Sequence, residues 1–313
     1  MSLRIISVVM AALLAFSGSA LAFQGYVQSF GDGGAIAWGN GEVSVVRSLA
    51  ADDGEEPAVT DPLAVRKAAS QARKQMLDMI LSVRIDAKRT VSAYISDDRE
   101  LATRVRGVVQ NSPFERPAVF EDSGNIRVAE RLRGKLAELV LPTTIQFQSG
   151  IPPKLSTSME QSMSFEDGLP EEAGVGARGY TGVIIDARGY KVTPALAPVI
   201  YGQDGEGAYG AFLVSRASAI AKGVVAYANT SAPAALRERV GDRPLSVRVL
   251  SAYGSWRTDL IISSPMARLV RAVMRSGDAM ENCRLVIVVD APETAGVDVG
   301  ILQEGDMPVE EQE

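Results

Sequence analysis

Leu285-Val286-Ile287-Val288-Val289-Asp290 restricts the fold more than any other segment. Successive side chains of a strand point to opposite sides of its sheet, so five apolar residues in a row leave no solvent face. Such a strand belongs inside a sheet covered on both faces. A helix is written just before it. Ser264-Pro265 places a capping residue ahead of a proline that loses no hydrogen bond in the first turn, and Met266, Leu269, Val270, Val273 and Met274 follow at helical spacing. A helix crossing to a buried strand predicts an α/β or α+β domain with its last strand inside the sheet.

The same signals recur upstream. Asp61-Pro62 opens a helix in which Ala64, Ala68, Ala72, Met76 and Ile80 repeat every four residues, a face narrow enough for close approach to a sheet. Arg66, Lys67, Arg73 and Lys74 occupy the remainder and read as a solvated face. Ser96-Asp97-Asp98 starts a second helix with Leu101, Val105, Val108 and Val109 inward, and Pro113 and Pro117 end it. Glu42 to Arg47 alternates as a strand does, and Ile126 to Leu132 is strand-like. Gly31-Asp32-Gly33-Gly34 precedes a strand instead of a helix, which argues against a phosphate loop and for close backbone approach.

These elements predict an α+β protein of two domains, each a mixed or antiparallel sheet packed with one or two helices. The first domain spans 35–148, a flexible linker 149–178, and the second domain 179–290. In the second domain, an apolar strand within Tyr180–Gly189 ends in Asp-x-x-Gly, further strands are expected at 198–201, 223–227, 245–252 and 259–262, and a short helix over 234–240. Asp204-Gly205-Glu206-Gly207 reads as a hairpin turn better than as a calcium loop.

Chemistry is restricted by what the chain lacks. Its 313 residues include no histidine and one cysteine, Cys283. Imidazole relays, the usual zinc site and an internal disulfide are thereby excluded. Cys283 reads as an inert, partly buried thiol. Asp186 and Asp290 both follow apolar strands and are the candidates for a carboxylate pair at one sheet edge. Ser218 with Lys222 and Ser156 with Lys154 offer serine and lysine without a recognisable dyad motif. No catalytic residue, cofactor or metal ligand is assigned on these grounds.

The formal charge is −6, but seven acids and no base lie in residues 291–313, and Arg4 is the only charge among residues 1–22. Residues 23–290 are therefore balanced and lack the basic field of a nucleic-acid binder. The stretch 291–313 reads as a disordered acidic tail. At the other end, Arg4, an apolar run from Ile5 to Phe16 and Ala20-Leu21-Ala22 predict a leader cleaved after Ala22, hence a Sec-exported, periplasmic product with no membrane span.

Three segments in order carry a family resemblance: Ala37-Trp38-Gly39-Asn40-Gly41, the alanine-striped stretch from Ala64 to Asp86, and Gly134 to Pro142. Together they resemble the N-terminal module of FlgT-like flagellar assembly proteins and the related outer-membrane lipoproteins that include FlgP. Residues 181–201, 223–228 and 284–290 are similar to an extension found beside that module. The lipoprotein relatives carry an acylated cysteine at the mature N-terminus, and no cysteine stands there in this chain. The resemblance implies a non-enzymatic envelope role, with envelope or flagellar basal-body proteins, or further copies of this chain, as partners. Two other expectations accompany it: a periplasmic module binding a small molecule or glycan between its domains, and a histidine-free hydrolase using Asp186 and Asp290.

Overall fold

A computed structural model of the protein describes residues 23, 25–49, 62–115, 124–155, 177 and 179–291. It is an α+β structure with two regions. In the first, strands β1 (Val27–Phe30), β2 (Gly34–Ala37), β3 (Glu42–Ser48), β4 (Phe114–Glu115) and β5 (Asn125–Arg131) form an antiparallel sheet in the order β1-β2-β3-β5-β4. Strand β3 alternates: Val43 and Val45 are buried while Val46 is 40% exposed. Helix α1 (Pro62–Ser82) covers the buried face with Ala68, Ala72, Met76, Met79 and Ile80. Small residues at this spacing let helix and sheet approach closely, as the four-residue repeat predicts.

Two short elements follow. Helix α2 (Val91–Ile95) is capped by Thr90, whose hydroxyl accepts from the Ala93 N–H. Helix α3 (Arg99–Gln110) is capped by Asp98, which accepts from the Leu101 N–H at 2.8 Å. Each cap satisfies a backbone donor that the first helical turn leaves free. After β5, helix α4 (Lys135–Val140) closes the region. After α1, Arg84 makes isolated bridges to Thr90 and to Ala195. The proposed Asp61 cap lies outside the described residues, as do residues 1–22, 156–176 and 292–313 of the leader, linker and tail. Residues 149–155 are anchored: Gly150 N–H donates to Phe212 O at 3.0 Å, and Leu155 is buried.

The second region holds two sheets. Strands β6 (Gly182–Asp186), β9 (Ala226–Ala228), β10 (Pro244–Arg248) and β13 (Leu285–Val288) run parallel in the order β10-β6-β13-β9. Strands β7 (Ile200–Gly202), β8 (Gly207–Tyr209), β11 (Ser251–Tyr253) and β12 (Asp259–Ile262) form a mixed sheet, β11-β12-β7-β8. As its composition requires, β13 is interior. Leu285 and Ile287 join the main core, whereas Val286 and Val288 join a separate cluster beneath helix α6 (Pro233–Val240). Helix α7 (Ser264–Met274) packs on the opposite side, touching both sheets, and helix α8 (Gly277–Glu281) follows it. Helix α5 (Arg216–Lys222) has no apolar repeat that announces it in the sequence.

One continuous core runs from Ile36, Val43 and Met76 through Val183, Tyr209 and Val270, so the two regions are packed together. Backbone bonds cross between them: Tyr26 N–H to Tyr227 O (2.8 Å), Ala197 N–H to Ile85 O (2.8 Å) and Gly134 N–H to Ile220 O (2.9 Å). Tyr227 is the central pin. Its ring meets Trp38 edge-on at 5.6 Å, and its hydroxyl both accepts from Ala195 N–H and donates to Ala195 O.

Arginines tie helix ends to neighbouring elements. Arg73 donates to Ser112 O just beyond α3, Arg216 to Glu138 O and Leu141 O at the end of α4, and Arg239 to Lys222 O and Gly223 O at the end of α5. A cation there satisfies orphan carbonyls and suits the negative end of the helix dipole.

Candidate anion-binding site at the junction of the two regions

The turn Trp38–Gly41, between β2 and β3, and the turn Leu132–Gly134, after β5, are joined by Leu132 N–H donating to Gly41 O at 2.7 Å. This places Arg133 across the junction, with its Nη2 donating to Gly39 O at 2.6 Å. Glycine is required at 41: φ is +72°, and a Cβ would stand 3.0 Å from Arg133 Cγ and Nε. The A-x-G-x-G segment is thus a slot for one side chain. From the second region come Arg239 on α6, Lys222 at the end of α5, and Asn282 and Arg284 just before β13. Lys222 Nζ donates to Asn282 Oδ1 at 3.1 Å, and Arg284 pairs with Asp278 at 3.0 Å. These residues, with Phe23, Asn40 and Glu238, line a cavity of about 400 Å³.

Positive charge here is poorly compensated. Among the described residues, no carboxylate lies within ion-pair distance of Arg133, Lys222 or Arg239. Arg239 Nε is sealed from solvent without a hydrogen-bond partner. Burial, and then the cation of Arg239, depress the Arg133 pKa to about 10. Arg239 is lowered by burial too. Withdrawing cations from water is costly without an opposing charge, and backbone carbonyls supply only partial charges. An anion in this cavity would complete the arrangement. Cys283 lies nearby, fully buried. Burial pushes its thiol pKa up although Arg239, Lys222 and Arg133 all pull it down. Burial thus favours the neutral thiol over the nucleophilic thiolate.

The carboxylates singled out in the sequence do meet at one end of the parallel sheet, since β6 and β13 are neighbours with Val288 opposite Asp186. Each has a structural task there. Asp186 is held below the usual carboxylate range chiefly by hydrogen bonding from Arg188. Asp290 accepts the Gly189 N–H through both oxygens, at 2.9 and 3.0 Å. They fasten the turn after β6. Ser218 bonds to Ser215 Oγ at the start of α5, while Lys222 turns to Asn282, so that pair does not meet in a hydrogen bond. Lys154 makes an isolated bridge with Glu206, and Ser156 lies outside the described residues. The turn at 204–207 is a hairpin between β7 and β8, with Gly205 at φ +75° and Gly202 N–H donating to Glu206 O.

Sequence reasoning did not single out Arg133, Arg239 or Arg284, nor the buried Asp259. A usable signal existed for Arg239. Ala235, Leu236 and Val240 form the buried face of α6, and position 239 belongs to that face by helical spacing. Asp259 begins β12 at 5% exposure and accepts from Val199 N–H at 3.0 Å. Burial raises its pKa to about 6. Among the described residues, no three Cys, Asp or Glu side chains gather as a metal centre would need, and no helix is long and apolar enough to cross a membrane.

No curated protein matches the chain. Residues 182–291 match the family described as the second domain of Treponema pallidum Tp0624. That match contains Lys222, Arg239, Asn282 and Arg284, whereas Phe23, Gly39, Asn40 and Arg133 complete the cavity from outside it.

Proposed function

We propose that this protein is a non-enzymatic component of the bacterial envelope that works by binding, holding an anionic ligand between its two regions. One observation carries the reading: Arg133, Lys222 and Arg239 converge on a common cavity without a carboxylate partner among the described residues. Occupation by an anion would tie residues of both regions to one ligand and stabilise the folded state by mass action. Asp186 and Asp290 fasten the turn after β6 through Arg188 and the Gly189 N–H, a structural task that favours binding over hydrolysis.

Export follows from the leader pattern at residues 1–22, and the resemblance to FlgT-like and FlgP-related modules supports an assembly role among envelope or flagellar basal-body proteins. Thermal melts in sulfate, phosphate and malonate, each against chloride at equal ionic strength, test the binding function. A saturable rise of the midpoint is expected. If every anion merely follows ionic strength, the binding reading fails. Fractionation and pull-down from envelope preparations test the assembly role, which fails if the protein is recovered only in the cytosol.

A further inference from the structure

Resting on the anion-binding reading, we infer that the cavity takes a phosphate monoester attached to a polar organic body. Charge is the first reason. Among the described residues, Arg133, Lys222, Arg239 and Arg284 face two acids, Glu238 on the cavity wall and Asp278 paired with Arg284. Two positive charges are left over. A phosphate monoester carries about −1.5 to −2 at neutral pH, with three strong acceptor oxygens, while a single carboxylate carries −1. Guanidinium groups suit this ligand because their planar donors pair with phosphate oxygens in parallel.

Size is the second reason. A volume of about 400 Å³ falls within the range of small-molecule sites, roughly 300–1,000 Å³, and exceeds what a bare oxyanion fills. The rest of the wall matches a hydroxylated body. Asn40 supplies a neutral amide and Phe23 a ring, while the Asn282 amide is held between Lys222 and Asp278. Gly39 keeps the wall low there, since a Cβ at that position would stand 2.6 Å from the Phe23 ring and 2.5 Å from Gly25 Cα. Phosphate of this type is offered by soluble sugar or polyol phosphates and by lipid headgroups.

Calorimetric titration at fixed ionic strength and pH 7.5 tests the inference with glycerol 3-phosphate, inorganic phosphate and malonate, alongside flotation with vesicles of phosphatidic acid in phosphatidylcholine. Glycerol 3-phosphate is expected to bind at least tenfold more tightly than malonate or inorganic phosphate. Flotation without soluble binding would equally support the monoester and identify a lipid source. Lowering the pH to 5.5 should weaken binding severalfold as the ester loses its second charge. Lys222→Gln, at an exposed position that leaves the packing intact, should weaken binding about tenfold, and Arg133→Gln should weaken it further. Arg66→Gln, on the outer face of α1, should leave it unchanged. Malonate binding as tightly as the ester overturns the phosphate inference and leaves the anion site standing. No saturable binding by any of the three soluble anions or the vesicles overturns both.

Discussion

The two regions bury their sheets in different ways. In the first, β3 and β5 alternate between buried and accessible side chains, because α1 covers a single face. In the second, every residue of β12 and β13 is buried, and alternate residues of β13 enter two separate cores, one under α6 and one under α7. Charge is handled differently as well. Arg127 of the first sheet pairs with Glu42 and Glu115. At the junction, Arg133 and Arg239 bond to carbonyls instead and keep their net charge. Paired surface charges are close to neutral in energy, whereas unpaired buried ones persist where a ligand or a tight structural task compensates them.

Placing a charge in each sheet should separate the two modes most sharply. Val286→Asp puts a carboxylate between the parallel sheet and helix α6 and is expected to cost more than about 4 kcal/mol. Val46→Asp, on the open face of the first sheet, should cost no more than about 1 kcal/mol. Urea unfolding of both variants checks this, and equal losses would break the comparison.

A second expectation concerns Asp259 in the fully buried strand β12. Its folded pKa, about 6, lies above the ordinary 3.8, so the folded state holds the proton more tightly than the unfolded state. The native state is therefore favoured most below pH 4 by this group, and the advantage is lost as pH rises from about 4 to about 6. Asp259→Asn should flatten that decline and raise stability at pH 7.5 by up to about 3 kcal/mol. Denaturant melts across pH 4 to 8 supply the measurement, and an unchanged profile would show that the carboxylate stays ionised when buried.

At the junction, Tyr227→Phe strands the Ala195 N–H and is expected to cost about 1–3 kcal/mol. Hydrogen exchange should quicken at residues 195–197 while the interior of β3 stays protected. A somewhat smaller effect than that of Tyr227→Phe is expected from Gly41→Ala, about 1–2 kcal/mol, from a side chain at positive φ pressing on Arg133. That variant should also weaken anion binding, which links the glycine segment of the first region to the cavity shared with the second.

Much of the architecture was legible in the sequence. The helices containing Pro62 and Pro265, the hairpin at 204–207, strand 259–262 and the interior position of β13 follow from apolar periods and turn signals that act within a few residues, although Ser264 is the first residue of its helix, behind Ser263, and not its cap. The stretch 245–252 reads as one strand because its apolar alternation is nearly unbroken, yet it divides between two sheets. Val249 N–H donates to Asp186 O in the parallel sheet, and Leu250 N–H donates to Ile261 O in the mixed one. Which neighbour a backbone donor finds is a long-range matter, invisible to a pattern of apolar residues.

Local chemistry in the chain thus determined where helices begin, which strands are buried on both faces, and that imidazole plays no part. Only the tertiary structure decided which charges share a cavity. Arg133 and Arg239 are brought together by a turn of the first region and a helix of the second, and their electrostatic consequence depends on distance and burial rather than on position in sequence.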